Sequence, residues 1–359
     1  MANISRNNTG LLSASILRSR QKHIDDVQTA SVDEHFEALL KDRGVVDPEP
    51  SEIAFKDLPE WYDEKLFQAG QHYYQRNMLS MGIAALIGVL AVIVIPTILK
   101  VLVYTKQSGT TCTAFKRYLE TMLHINTLYT CDIKSKDSNW WRSINTIRWK
   151  HSTSSRRSNK SGNGAITQRD MALTQFGFLG YALLEPQKLA LTNEPEAREA
   201  LNHFWRVVGY CLGISDKINI CRKNEGETTE LCRRLMDEVF AKHMKDNPAN
   251  FDHMASVLLD GLWTVDFTLN TDAFMYFWYK LSGVEYGKRL STYSWLNMLY
   301  YNFILFLFRI PIIGYFVRAG FNRVVRFNHW MAKNLPVVAW LRFGKARATI
   351  NLYPKLTNQ

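Results

Sequence analysis

An all-α fold, a large helical bundle, is predicted by three observations. Apolar residues recur at three- and four-residue intervals through most of the chain. No segment alternates apolar and polar residues as a half-buried strand would. One stretch, Met78 to Leu99, is apolar without a single charged residue. Together these predict a bundle of about ten helices.

The composition supports a packed core. The chain has 359 residues, of which 47% are hydrophobic and 13% aromatic, which excludes disorder for its bulk. The five cysteines, Cys112, Cys131, Cys211, Cys221 and Cys232, form no CxxC pair, so neither a zinc ribbon nor a disulfide framework is indicated. The formal charge of +11 is compatible with an anionic membrane, an anionic cofactor or nucleic acid. Local basic concentrations occur at 18–22, 156–160 and 318–326. They lack the spaced stacking aromatics of a nucleic-acid module, so nucleic acid is not an expected partner.

Residues 1–30 are polar, basic and lack a signal-peptide core, and read as a flexible tail. A helical domain is expected over 31–290, and an apolar, basic, membrane-associated C-terminal part over 291–359. Residues 31–44 read as a short amphipathic helix with Phe36, Leu39 and Leu40 on one stripe. Met78–Leu99, extended to an apolar helix over 78–103, is long enough to cross a bilayer or to fill a core, and Pro96 is expected to kink it. Further helices are expected at Thr113–Thr130 and Trp140–His151, then loop chemistry from Arg156 to Gly164. Thr167 and Asp170 resemble a capping box opening a helix to Leu184. Pro195 sits just inside the start of the next helix, which runs to Leu212. Helical patterns recur at 228–244, 251–265 and 272–281. The block Trp295 to Phe316, aromatic-rich and broken by Arg309 and Pro311, suits an interface-lying helix at least as well as a span.

Three groupings could carry chemistry. Arg148 and His151 are three apart and share a helix face, where a neutral imidazole could ligate a metal or haem iron. Arg117, Glu120 and Thr121 share another face, and a guanidinium with a hydroxyl over a buried pocket could stabilise charge developing on oxygen. Alone, each is more often an ordinary hydrogen-bonding histidine or a solvated ion pair. His203 through Gly209, with Gly213, reads as packed core with room for close helix contact or a flat cofactor. There is no HExxH, no GxSxG, no GxGxxG, no P-loop and no set of histidine boxes, which removes the common hydrolase, dinucleotide and di-iron readings.

Taken in order, several segments resemble the rubber oxygenase (latex-clearing protein) and mpaB-type ER-bound oxygenase family, over roughly residues 58–215. They are Leu58-Pro59-Glu60-Trp61 with Gly70-Gln71, Lys116 through Thr121, Arg148 with His151, Ile166 through Met171 with Thr174 and Phe176, and His203 through Gly209 with Leu212-Gly213-Ile214. The resemblance implies an all-α bundle enclosing one haem b, with His151 as the axial iron ligand. It places Arg117 and Thr121 at distal positions near dioxygen, Arg148 beside the ligand, and Thr174 and Trp205 at further pocket positions. It implies oxidative cleavage of a carbon–carbon double bond in an isoprenoid or similar apolar substrate, with dioxygen and membrane lipid as partners and an endoplasmic-reticulum membrane as location. Two positions depart from the pattern. Glu120 stands where the rubber enzymes carry a Lys, and Ser155 where the family places an Arg. Two alternatives stay open: a haem-binding membrane protein without turnover, and a cofactor-less structural membrane protein of the same fold.

Overall fold

The computed structural model describes residue 24 and residues 26–355, so most of the expected N-terminal tail lies outside the described residues. Those residues form helices joined by loops. Among them the only β-type pairing is an isolated bridge between Val45 and Thr167, and the all-α expectation is met.

Helix α1 (Val32–Lys41) starts at Ser31, whose side chain accepts from the Glu34 amide, and buries Phe36 and Leu39. Helix α2 (Glu64–Arg76) is capped by Asp63 and buries Phe67, Gly70, Tyr73 and Tyr74. It packs on α8 (Pro195–Cys211), where a side chain at Gly70 would meet the Ala200 carbonyl at 2.6 Å. Helix α3 (Met78–Ile93) follows after a 96° bend. The backbone groups freed at that break are satisfied from a distant helix. The Met78 amide donates to Asn322 Oδ1 at 3.0 Å, and Asn322 Nδ2 donates to the Arg76 carbonyl at 2.8 Å.

The apolar stretch is not one helix. The chain breaks at Val94–Ile95 and restarts with Pro96 in the first turn of α4 (Pro96–Thr105), where proline's missing amide costs nothing. Pro96 therefore opens a helix rather than kinking one over 78–103. Among the described residues no single helix is long and apolar enough to cross a membrane. Only α2 and α3 together reach that length and composition, and they meet at a right-angled bend. Much of α3 is spent on internal packing against α7 (Gln168–Leu184). A side chain at Gly88 would fall 1.7 Å from the Gly177 carbonyl, so the two backbones touch there.

Helix α5 (Thr111–Thr130) lies beside α6 (Asn139–Lys160) and beneath α11 (Phe251–Leu262). Helix α6 runs through much of the stretch whose polar sequence reads as loop. Ser152, Ser155 and Ser158, three apart, are buried on one stripe. Ser152 Oγ donates to the Pro48 carbonyl, and Ser155 Oγ accepts from the Ile166 amide at 2.9 Å. Those long-range partners extend the helix to Lys160. The loop begins at Ser161 and uses Gly162 and Gly164, both at positive φ. Helix α7 has the expected capping box: Thr167 accepts from the Asp170 amide and Asp170 from the Thr167 amide.

Helix α8 (Pro195–Cys211) ends at Gly213, whose φ of +86° makes it a helix stop rather than a contact glycine. Next come α9 (Glu225–Arg234), a π-helical turn (Leu235–Phe240), α10 (Ala241–Asp246), and after α11, α12 (Thr271–Leu281). The C-terminal part folds as α13 (Thr292–Leu307), α14 (Ile313–Asn334), α15 (Val337–Phe343) and α16 (Lys345–Ala348). Pro311 and the loop around Ile312 divide the aromatic block between α13 and α14.

Candidate functional site

A cavity of about 260 Å³ lies between α3, α4, α5, α6, α7 and α8. Helix periodicity puts Arg117, Glu120, Thr121 and His124 of α5 on one face, and that face lines the cavity. Lys150 and His151 of α6, Thr174 and Gln175 of α7, and Trp205 and Gly209 of α8 complete its polar and aromatic wall. Val89, Ile93 and Leu102 supply apolar wall from α3 and α4.

His151 is enclosed. Its Nδ1 is buried with no hydrogen-bond partner. Burial first, then the Arg117 guanidinium and the Lys150 ammonium, push the imidazole down to about 4. The ring is therefore neutral at physiological pH and keeps a free lone pair, the form that ligates iron.

His124, which the sequence motifs passed over, faces the same cavity. Its Nδ1 is 3.0 Å from Ser143 Oγ, and its Nε2 is buried without a partner. Burial, with Lys150, pushes it down to about 3. The signal was present in the sequence: His124 lies seven residues after Arg117, on the same helix face.

The charged groups are arranged differently from the sequence reading. Lys150 Nζ is 2.6 Å from Glu120 Oε2, so the charge reversal at Glu120 is answered across the α5–α6 contact. Arg117 Nη1 donates to Thr105 Oγ1 at 3.3 Å. Burial pulls the guanidinium down from its ordinary value, but it starts so high that it remains a cation. Thr121 lines the cavity, yet its hydroxyl donates to the Arg117 carbonyl at 3.0 Å, leaving only acceptor capacity toward the interior. Thr174 likewise donates to the Asp170 carbonyl at 2.7 Å.

Arg148 does not line the cavity. Its guanidinium donates to the Cys211 carbonyl at 3.0 Å, satisfying the C-terminal end of α8, and reaches toward the Ser51 carbonyl. Arg156 lies 3.8 Å from Glu49 and is also away from the site. His203 is packed, accepting from the Asp63 amide at 3.0 Å.

Trp205 forms a partition. It stacks on Phe178 at 5.0 Å and donates from Nε1 to Tyr129 OH at 2.7 Å. Beyond it lies a second, apolar chamber of about 380 Å³, bounded by α3, α5, α13 and α14. Val89, Tyr118, Thr121, Ile125, Phe178 and Trp205 line both spaces. A cavity bearing an imidazole with an unpartnered nitrogen thus abuts a chamber fit for an apolar molecule.

The residues suit a haem better than a protein-ligated metal ion. No cluster of three or more His, Cys, Asp or Glu side chains able to hold a metal occurs among the described residues. A porphyrin carries four of its iron's ligands itself and needs only one imidazole, such as the orphaned His151. Of the wall's two cations, Lys150 is held by Glu120, which leaves the Arg117 guanidinium, hydrogen-bonded to Thr105, for a cofactor carboxylate.

No protein-family model matches the chain, and no curated protein matches it. Among solved structures the chain is similar to latex clearing protein in its closed state, with a TM-score of 0.54 at 13% identity, covering 89% of this chain and 88% of that one. The fold is thus that of latex clearing protein, and the likeness extends well past residue 215, where the sequence resemblance weakens.

Proposed function

We propose that the protein is a haem-dependent oxygenase that cleaves a carbon–carbon double bond in an apolar substrate of isoprenoid type. The observation that carries this reading is the neutral, unsatisfied His151 imidazole on the wall of a cavity that abuts an apolar chamber, within a fold shared with latex clearing protein. When bound, haem b would supply an iron centre able to activate dioxygen.

The chain's own groups divide the remaining work. His151 would hold the iron through its free lone pair. Arg117 would attract a cofactor carboxylate, while Lys150 is held by Glu120. Val89, Phe178 and Trp205 keep water away from the side facing the substrate. Thr121 contributes an acceptor, because its proton is committed to the helix.

That commitment favours a second reading, a haem-binding protein without turnover. Oxygen uptake with an unsaturated isoprenoid separates the two.

The deciding experiment is an absorption spectrum of the purified protein with and without dithionite. A Soret band that His151→Ala abolishes and His124→Ala retains is the expected result. No Soret band, or one indifferent to His151→Ala, overturns the assignment.

A further inference from the structure

We infer that α13 and α14 form a docking surface for an anionic lipid bilayer, and that the apolar chamber opens onto that surface. The inference deepens the reading above, since it rests on that reading for what the chamber holds. The docking itself does not depend on it.

Most of the large hydrophobic side chains exposed among the described residues lie between Tyr293 and Leu341. Trp295, Phe303 and Phe306 on α13, and Phe316, Phe327 and Trp330 on α14, are each more than half exposed. Helix α13 carries large apolar side chains on both sides: Met298 and Leu305 face the core while Trp295 and Phe303 face outward. A helix of that kind needs apolar cover on both sides, and a soluble monomer rarely leaves so large a patch open.

Charge identifies the cover. Residues 286–359 carry eleven Lys or Arg and no Asp or Glu, so this segment holds the whole +11 excess of the chain. Arg309, Arg323, Arg326 and Lys333 are exposed on or beside the two helices. A second copy of this chain would bring like charge against like charge. An anionic bilayer offers acyl chains for the aromatic rings and headgroups for the cations. The inner side of α14 is meanwhile fastened to the core: Arg318 donates to the Ala190 carbonyl and Asn322 spans the α2–α3 break. The surface is therefore rigidly presented.

The chamber reaches this surface. Tyr300 of α13, Val324 of α14 and Gly82 of α3 are exposed residues that also line it, and its far end is Trp205. An apolar substrate dissolved in a bilayer would pass from the acyl region to the partition without crossing water.

The test uses the full-length protein and vesicle flotation. Wild type is expected to float with phosphatidylcholine vesicles containing phosphatidylserine, to float less with phosphatidylcholine alone, and to be released by salt. Phe303→Glu with Phe316→Glu should lower flotation about tenfold or more while circular dichroism and melting temperature hold. Arg323→Glu with Lys333→Glu should lower it on the anionic vesicles only. Wild type that stays at the bottom of the gradient, or unchanged flotation of the Phe303/Phe316 variant, overturns the docking. So does a dimer in solution that the same two substitutions dissociate.

Gly82→Phe tests the opening. A Cβ at Gly82 meets nothing within 4 Å, so the new ring enters open space. This variant should float like wild type but take up a polyene probe from vesicles several-fold more slowly. Equal uptake overturns the opening. Neither readout needs haem: a protein that floats without a Soret band refutes the oxygenase reading alone, and one with the band that does not float refutes the lipid reading alone.

Discussion

Lys150 of α6 lies 2.6 Å from Glu120 of α5, and this pair sets the electrostatics of the cavity. It places a compensated charge pair beside two neutral histidines and one buried guanidinium. Both side chains keep partial contact with the accessible interior, at 34% and 22% exposure.

Because the pair is only partly buried, its stabilisation is modest. Glu120→Lys should cost about 1 kcal/mol, as two ammonium groups then face each other, and Glu120→Lys with Lys150→Glu should recover most of the loss. Urea unfolding of the four proteins of this cycle measures it. Additive losses would show that the contact contributes nothing.

His151 makes the fold sensitive to acid. Its folded-state pKa, about 4, lies below the value of about 6.5 expected when unfolded. The unfolded chain therefore takes up the proton first, and stability falls as pH drops from about 6.5 toward 4. Between pH 7.5 and pH 5 this one group should cost about 2 kcal/mol. His151→Gln should flatten the corresponding part of the stability–pH curve. His124, pushed down to about 3, acts in the same direction and should leave a residual slope.

The α3–α7 contact allows a sharp comparison between two glycines of one helix. Gly88→Ala would put a methyl group 1.7 Å from the Gly177 carbonyl and should cost about 3 kcal/mol or prevent folding. Gly82→Ala enters open space and should stabilise by about 0.5–1 kcal/mol through helix propensity. Melting temperatures of both variants decide whether the two backbones touch there.

Tyr129→Phe would remove the acceptor of the Trp205 indole N–H while preserving shape. A buried donor would lose its partner, at about 1–3 kcal/mol. The loosened partition should also let an apolar probe in the chamber report changes in the neighbouring cavity. An unchanged stability would mean that another group accepts from Trp205.

Much of this fold was legible locally. The Thr167–Asp170 capping box, Pro195 at a helix start, and the stripe of Phe36 and Leu39 are encoded within a few residues and appear as read. Helix α2 is written locally as well, in the Asp63 cap and the spacing of Phe67, Gly70, Tyr73 and Tyr74. His151 stands out in the sequence only through the family resemblance, because a lone imidazole three residues after an Arg is not a specific signal. His124 could have been found by extending the Arg117 face by one more turn.

By itself the sequence determined the helical class, most helix starts and stops, and the pairing of residue types on each helix face, because periodicity and capping act over a single turn. Only the tertiary structure decided where those faces point. Arg148 turns to the end of α8, because carbonyls there lack donors, while its neighbour His151 meets a cavity. The charge-free stretch starts at a 96° bend because Asn322, far along the chain, satisfies the backbone groups freed there. Burial, and with it the protonation of His124 and His151, is a property of what packs around a residue, and those neighbours come from distant parts of the chain.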